Sequence, residues 1–317
     1  MNYFDITDRT SQSRLKKILV HPRMYMSKNP MIDDDDKIHF TIGNGVDCLM
    51  TEPEKFNDLF YILSTKAPTG QIKQFIDAYY KNEEDADRAF EIVNSAKYKI
   101  EWFKAKLEED DNKAYFNCLK EGKTILDPPV YETITQIVKS FAEFKEYQTL
   151  VKKTADNQIV SQLEIMWSYK GLDMKSKLDF IVIDYNAKTI LPIDVKTVGD
   201  STMSFQYSFW KRRYDFQAAS YTLALKYWIE HEENFSALKD FTILPFHFAV
   251  ESSKYQGSPL IFKASPETME IGLNGGNVEH KTYEGLNQAI DRLKWHTTFD
   301  VWDYTMEQWE TDKTITI

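Results

Sequence analysis

Residues 179–197 read DFIVIDYNAKTILPIDVKT, two apolar runs that are joined by the polar segment 185–188 and carry charged side chains. Side chains alternate between the two faces of a strand, so Asp194 and Lys196 share one face. The polar segment suits a hairpin turn, which would fold Asp179 back beside Asp194. Burying such charges costs on the order of several kcal/mol each unless they are paired or bind a metal. The stretch therefore predicts a sheet with a charged functional site at one end.

The spacing of these charges resembles that of a known enzyme family. The order of charges is similar to the motif of the PD-(D/E)xK nuclease superfamily: Asp179 is followed after fourteen residues by Asp194, and then after one residue by Lys196. The spacing alone is weakly specific, because an acid followed two residues later by lysine is common on polar strands. On the helix predicted next, Gln217 and Tyr221 lie one turn apart and resemble the Q-x3-Y motif of the RecB-like branch.

Stretches nearer the N-terminus extend the resemblance. Residues 43–49, GNGVDCL, followed by 53–56, PEKF, resemble the first helical motif of the RecB-like branch, with Asp47 where the family usually has a histidine ligand. Residues 10–17, TSQSRLKK, with 21–25, HPRMY, are similar to the opening of RecE-like, phage-type exonucleases.

The resemblance continues towards the C-terminus with residues 246–251, FHFAVE, and so covers roughly residues 8–305. It implies a mixed α/β (α+β) fold: a restriction-endonuclease-like core with a small central mixed sheet flanked by helices, plus a helical embellishment. We expect a single nuclease domain over 1–317, divided into an N-terminal helical part at 1–157, a catalytic sheet core at 158–265 and a C-terminal helical part at 266–317.

Hydrophobic periodicity predicts the order of the elements. A helix is expected at 11–20, with Ser11 or Ser13 as its cap and Pro22 as its end. A mostly helical stretch follows at 43–152, with a break at Pro128 and Pro129. The remaining predicted elements are strands at 159–168, 177–185 and 189–197, a helix at 210–231, and strands near 241–251 and 258–263.

Composition limits the class of protein. The 317 residues can bury a substantial core, and 42% hydrophobic with 14% aromatic content excludes a disordered chain. No stretch resembles a signal peptide or an apolar run of about twenty residues. We expect a cytoplasmic protein of a bacterial or phage-infected cell, with no membrane association. Cys48 and Cys118 are too few to hold the iron–sulfur cluster found in some RecB-like relatives, so no such cluster is expected.

The net charge of −10 argues against a nucleic-acid partner only if charge is evenly spread. Residues 9–28 hold six basic side chains and no acid, and three consecutive basic residues occupy 211–213. These clusters could line a phosphate path or be solvated helix faces, and the serines could be plain helix caps. The DNA-contact candidates are Ser11, Ser13, Arg14, Lys16, Lys17 and Arg213.

The resemblance implies a magnesium site, with Mn²⁺ as an alternative ion. Hard oxygen ligands suit both ions. The metal-ligand candidates are Asp47, Asp179, Asp194 and the main-chain carbonyl of Val195. Asp47 could instead be an ordinary acid on a helix surface, and Asp179 and Asp194 could be solvent-facing acids paired with lysines.

The catalytic candidates implied by the resemblance are Asp179, Asp194, Lys196, Glu164, Gln217 and Tyr221. Lys196 would orient the attacking water and stabilise charge on the phosphate, since a free lysine is a poor base at neutral pH. Glu164 could hold a second metal or orient a water, or be an exposed strand residue. Gln217 and Tyr221 would hold the site or the DNA backbone, or simply pack their helix on the sheet.

The implied function is hydrolysis of phosphodiester bonds by a DNA exonuclease, 5′ to 3′ on linear duplex DNA in recombination. A single-strand annealing protein as partner and a ring-like homo-oligomer are implied by the family in the same way. Two alternatives stay open: an endonuclease of restriction or repair type, and a non-catalytic DNA-binding protein with a degenerate nuclease fold.

Overall fold

The computed structural model describes residues 3–27, 34–64, 66–231 and 237–314. The chain divides into two compact units. The first comprises Met1–Asp36 with Ser140–Ile317, and the second comprises Lys37–Lys139. The single nuclease domain expected over 1–317 stays a prediction.

The described strands and helices are named in chain order. The strands are β1 Thr10–Ser11, β2 Phe60–Ile62, β3 Thr124–Leu126, β4 Asn157–Tyr169, β5 Leu172–Asp184, β6 Thr189–Val198, β7 Thr242–Ile243, β8 His247–Ser252, β9 Leu260–Lys263, β10 Gly276–Val278 and β11 Lys281–Tyr283. The helices are α1 Gln12–Leu15, α2 Pro22–Met26, α3 Asp34–Thr51, α4 Phe56–Leu59, α5 Gly70–Lys81, α6 Ala86–Val93, α7 Ile100–Leu107, α8 Asp110–Glu121, α9 Pro128–Glu143, α10 Lys145–Leu150, α11 Phe205–Arg212, α12 Tyr214–His231, α13 Pro266–Asn274, α14 Leu286–Phe299 and α15 Met306–Glu310.

A mixed sheet organises the first unit. Its main path runs β1-β5-β6-β8-β9, with β4 paired to β5 and β7 paired to β6. The β4–β5–β6 meander is antiparallel, β6 and β8 are parallel, and β9 returns antiparallel to β8. A helical crossover between β6 and β8 is what a parallel pair requires. The predicted fold class, a mixed α/β protein with a small mixed sheet flanked by helices, is confirmed.

Helix α12 packs on one face of this sheet because its apolar side chains meet those of the central strands. Phe216 and Leu225 of α12 are fully buried in one cluster with Ile181 and Ile183 of β5 and Ile190 of β6. Burial of each such side chain stabilises the fold by roughly 1.5–3 kcal/mol. The packing holds the polar face of the first turns of α12 over the ends of β5 and β6.

The helical stretch expected at 11–20 ends at Leu19, before Pro22, as predicted. Three other predictions about the bounds of elements were wrong. The break expected at Pro128 and Pro129 lies before them, because Pro128 begins α9, and a proline at the first helical position lacks only an N–H that would have no helical partner. The helix expected at 210–231 is interrupted by Arg213, which has the left-handed φ of 58° and ends α11. The strand expected at 241–251 is broken before β8, around Pro245.

The second unit is mainly helical, as predicted for most of residues 43–152. It also contains a short parallel pair, β2 and β3, which periodicity did not predict. Phe75 and Phe103 stack at 4.9 Å in one of its buried clusters. None of the described helices is long and apolar enough to cross a membrane.

Candidate active site

Strands β5 and β6 part at the residues that were singled out in the sequence. Their ladder ends at the pair Phe180↔Ile193. One step further, the main-chain N–H of Val195 donates to Oδ2 of Asp179 at 2.8 Å, where a strand carbonyl would otherwise accept it. A carboxylate that accepts a main-chain N–H makes a strong, charge-assisted hydrogen bond. The Asp179 side chain therefore fills the opening between the two strands.

The alternation of side chains along β5 is interrupted at the same point. Leu178 and Ile181 both join the core beneath α12, although three positions separate them and strict alternation would place them on opposite faces. On β4, Gln162 lies between the pairs Ser161↔Phe180 and Leu163↔Leu178 and has a left-handed φ of 51°. Irregular strand positions of this kind re-aim side chains. At this position the Asp179 side chain bonds to β6 through the Val195 N–H.

Asp194 is the buried acid of the site, with 2% of its surface exposed. Its Oδ1 accepts a hydrogen bond from Nε2 of Gln217 on α12 at 2.6 Å. Its Oδ2 forms an ion pair with Nζ of Lys196, yet accepts no hydrogen bond of regular geometry from the described residues. The ion pair and the Gln217 hydrogen bond offset the cost of burying this carboxylate.

Lys196 carries a firmly held positive charge. Burial disfavours its charged form, but the negative charge of Asp194 outweighs that effect, with smaller contributions from Tyr214 and Asp179, so the pKa of Lys196 is raised. The ammonium lies 5.2 Å from the centre of the Tyr214 ring, a cation–π contact that the sequence did not suggest. Lys196 is therefore a cation at neutral pH and can act by donating hydrogen bonds, not as a base.

Tyr221 completes the cluster on α12, one turn beyond Gln217. Burial raises the pKa of Tyr221, and the charges of Asp194 and Asp179 raise it further. Its phenol is accordingly protonated and lies within the electrostatic reach of both acids. The structure thus brings together Asp179, Asp194, Lys196, Gln217 and Tyr221.

No contact in the described part of the chain joins Glu164 to the two aspartates. Glu164 lies on β4 in register with Lys177 on β5, and its Oε1 is 4.0 Å from the Lys177 ammonium. Its side chain is 43% exposed. The role of Glu164 in the site stays a prediction.

Asp47 lies on α3 in the second unit and is half-buried. Its main-chain carbonyl accepts a hydrogen bond from Thr51 Oγ1 at 2.7 Å. Its role as a metal ligand stays a prediction.

The donor set of the cluster suits a hard divalent cation. Among the described residues no group of three or more histidine, cysteine, aspartate or glutamate side chains is placed to hold a metal. Mg²⁺ does not need one, because it keeps several waters and is commonly held by one or two carboxylates. Asp179 and Asp194 would be those carboxylates. In an extended strand the N–H and C=O of a residue point to the same edge, so the Val195 carbonyl faces the edge where Asp179 accepts its N–H.

The burial of another acid beside β6 has a structural explanation. Glu251 on β8 is in register with Thr197 and is fully buried. Its oxygens accept hydrogen bonds from the N–H groups of Ser252 at 2.6 Å and Gly257 at 3.0 Å, and from the hydroxyl of Ser140. These donors satisfy the carboxylate and hold the loop after β8.

Ser11 is the N-cap of α1, one of the two positions expected to cap this helix. Its Oγ accepts from the N–H of Arg14 at 3.3 Å and lies 2.9 Å from Oγ of Ser13. The guanidinium of Arg14 lies 4.6 Å from the centre of the Tyr25 ring, and its Nε donates to the Tyr25 carbonyl. Contacts of these residues with DNA stay predictions, and residue 28 of the basic stretch is outside the described residues.

Lys16 lies closer to the catalytic cluster than its sequence position suggests. Its ammonium donates to the carbonyl of Arg212 at 2.9 Å. Burial, followed by the positive charges of Lys196 and Arg213, lowers the pKa of Lys16 to about 8. Lys17 is half-buried and makes no side-chain hydrogen bond or ion pair with the described residues.

Arg213 is held by a buried acid. Its Nε and Nη2 donate to the two carboxylate oxygens of Asp215 at 3.1 and 2.9 Å, and Asp215 is fully buried. This bidentate pair gives Arg213 a structural role at the start of α12. A contact between Arg213 and DNA stays a prediction.

Sequence reasoning missed Tyr214, Asp215 and the closeness of Lys16 to Lys196. The sequence did carry a signal for Tyr214 and Asp215, because these two residues lie directly between the basic residues 211–213 and Gln217.

Comparisons with known proteins leave the family open. No family model and no curated protein matches the chain. Among solved structures, the crystal structure of a "putative exonuclease" from Eubacterium rectale is similar with a TM-score of 0.39 and 9% identity, covering 99% of this chain and 88% of that chain. A likeness at this level defines neither the family nor the activity of this chain.

Proposed function

We propose that the protein is a metal-dependent deoxyribonuclease that hydrolyses phosphodiester bonds. The observation that supports this most is the cluster at the parting of β5 and β6, where two carboxylates and an ammonium converge in a largely buried setting. Charges placed in this way destabilise a fold unless they are compensated, and they suit the binding of a cation and a phosphate together.

The residues divide the chemistry between them. Asp179 and Asp194 would hold Mg²⁺, or Mn²⁺ in its place. The metal when bound lowers the pKa of a coordinated water and neutralises charge on the phosphate. The Lys196 ammonium donates hydrogen bonds to the phosphate oxygen on which negative charge develops. Gln217 holds the Asp194 carboxylate in one orientation, and the protonated phenol of Tyr221 lies one turn further along α12.

Within this class we place the protein among exonucleases of the RecE-like, phage recombination type, acting 5′ to 3′ on linear duplex DNA. The motif resemblance supports this finer assignment. A single-strand annealing protein as partner and a ring-like homo-oligomer belong to the same proposal, and both can be tested by co-purification and by mass measurement in solution.

A cleavage assay tests the proposal directly. Linear duplex, supercoiled circles and relaxed closed circles are incubated with the protein in Mg²⁺, with EDTA as the blank. We expect linear duplex to be degraded to short products while closed circles survive. Conversion of supercoiled circles to linear DNA would establish an endonuclease instead. Binding of DNA without cleavage in Mg²⁺ or Mn²⁺ would establish the non-catalytic alternative.

Two variants test whether the cleavage comes from this site or from a contaminating nuclease. Lys196→Ala removes the ammonium of the cluster and should lower cleavage by orders of magnitude. Lys188→Ala is the matched control, since Lys188 lies in the turn between the same two strands and pairs at the surface with Asp240. Equal activity of the two variants would contradict the assignment of the site.

A further inference from the structure

A cleft of about 1020 Å³ lies outside the catalytic cluster. Its walls come from α11, from β9 and from the β10–β11 hairpin, and Phe248 of β8 lies in its lining. The volume is at the upper end of that of small-molecule sites, which span roughly 300–1,000 Å³. The cleft therefore has room for more than one ring system.

Aromatic rings line this cleft and remain accessible. Tyr207 on α11 is 73% exposed, the largest exposed fraction among the large apolar side chains of the described residues. Trp210 lies one turn along the same helix, and its ring is 5.2 Å from that of Tyr283 on β11. Trp210 and Tyr283 are half-buried, so Tyr207 offers the most open π-face on which another flat group can stack.

The charged groups of the cleft are mostly basic. The lining contains three lysines, Lys211, Lys263 and Lys281, and one acid, Glu279. The whole chain, in contrast, has a net charge of −10. Within the described ranges none of these three lysines pairs with a carboxylate. Lys211 and Lys281 instead lie 5.9 and 5.1 Å from the ring centres of Tyr207 and Tyr283. The cleft thus suits an anionic ligand that also carries flat rings.

A chain of ring contacts connects the cleft with the catalytic cluster. Phe248 is in register with Asp194 on the neighbouring strand. The Tyr214 ring lies 5.8 Å from that of Phe248 and 5.2 Å from the Lys196 ammonium. The cleft and the catalytic cluster are therefore neighbours, separated by the Phe248 and Tyr214 rings.

We propose that this cleft binds an unpaired segment of nucleic acid, with bases stacked on Tyr207 and Trp210 and phosphates on the three lysines. Bases in a duplex are stacked on each other and cannot reach these rings, whereas a single strand can. The identification of the polymer as DNA rests on the proposed function. The binding itself needs no metal and no cleavage, so the two proposals can fail separately.

The test measures binding of a fluorescein-labelled oligothymidylate to the full chain in EDTA. Stacking contributes roughly 1–3 kcal/mol per base, so Tyr207→Ala should weaken binding about five- to 150-fold. Tyr207→Phe, which keeps the ring, should bind as the wild type does. Tyr255→Ala is the matched control, because Tyr255 is an exposed tyrosine outside the cleft with Lys254 at 5.0 Å from its ring.

The lysines are tested by salt titration. Replacing Lys211 and Lys281 by alanine should lower the slope of log affinity against log salt concentration by about 0.7 for each phosphate that no longer has a lysine partner.

Three results would each overturn the proposal. The first is that Tyr207→Ala and Tyr255→Ala weaken binding equally, and the second is that Tyr207→Ala affects duplex and single-strand binding equally. The third is that thymidine mononucleotide binds as tightly as the oligomer. Binding that depends on Tyr207 in a protein without nuclease activity would leave the cleft assigned and reject the proposed function alone.

Discussion

Gln217 donates a hydrogen bond from Nε2 to Oδ1 of Asp194 at 2.6 Å, and this bond joins helix α12 to strand β6 in the interior of the sheet unit. Both side chains are buried. The other carboxylate oxygen of Asp194 faces the Lys196 ammonium. The amide therefore keeps the carboxylate from rotating away from Lys196, and it does so without adding charge.

Gln217→Leu should lower the free energy of unfolding by about 1–3 kcal/mol, because Oδ1 of Asp194 would lose its buried donor. Gln217→Glu should destabilise more at pH 7, since two carboxylates would then meet, and part of the loss should return at pH 5, where they can share a proton. Urea denaturation at both pH values is the measurement. Gln136→Leu, at an exposed position on α9, is the control. Equal stability of all three variants would show that the bond is unimportant.

Lys196→Met should destabilise the metal-free protein by about 3–5 kcal/mol, because a buried carboxylate would lose its counter-charge. Mg²⁺ should then stabilise the variant more than the wild type, since a bound cation replaces the missing charge. Denaturation in EDTA and in Mg²⁺ measures both effects. The folded state raises the pKa of Lys196, so the contribution of Lys196 should persist up to the unfolded pKa of about 10.4 and be lost only at higher pH. A loss already complete at pH 9 would contradict this assignment.

Arg213→Ala should cost about 3–5 kcal/mol of stability, because Asp215 is fully buried and Arg213 supplies a bidentate partner. Arg213→Lys should keep only part of this stability, since an ammonium cannot reproduce the two parallel hydrogen bonds. Arg212→Ala, at the exposed neighbouring position, should change stability little. If Arg213→Ala instead lowered DNA affinity at unchanged stability, its main partner would be DNA and not Asp215.

The lowered pKa of Lys16, about 8, predicts a pH dependence of nucleic-acid binding. If Lys16 contacts phosphate, affinity in EDTA should fall between pH 7 and 9, as the charge is lost. Lys16→Arg should remove this fall, because arginine stays protonated. Lys17→Arg is the control and should leave the profile unchanged. A wild-type profile that is flat over this range would exclude a phosphate contact through Lys16.

The lowered pKa of Lys16 also affects the free energy of unfolding, and its effect has the opposite sign from that of the raised pKa of Lys196. The folded pKa of Lys16 lies below the unfolded value, so the cost of holding this charge is present below pH 8 and is relieved as pH rises towards about 10.4. Wild-type stability relative to Lys16→Met should therefore increase over that window in urea denaturation. A constant difference across it would show that the Lys16 pKa is not lowered.

Asp47→Ala tests whether Asp47 is a metal ligand. We expect weaker Mg²⁺ activation and lower activity together, with excess Mn²⁺ restoring part of the rate. Glu54→Ala is the control on a nearby exposed acid. Wild-type activity of Asp47→Ala across a Mg²⁺ titration would remove Asp47 from the site and favour Glu164.

The sequence alone predicted the elements that place the acids. The apolar runs at 177–185 and 189–197 became β5 and β6, because alternation and a short polar turn are local properties that survive in the folded chain. The hairpin necessarily brings Asp179 towards Asp194. The one-turn spacing of Gln217 and Tyr221 put both on the same side of α12 for the same local reason.

Only the tertiary structure decided which distant groups join them. Lys16 meets the carbonyl of Arg212 across 196 positions of the chain, and no local pattern encodes how the N-terminal turn packs beside α12. The left-handed residues Gln162 and Arg213 are equally unreadable, since neither is the glycine that usually marks such a backbone. Packing stabilises these conformations against their local cost, and packing depends on side chains that are far apart in sequence and close only after folding.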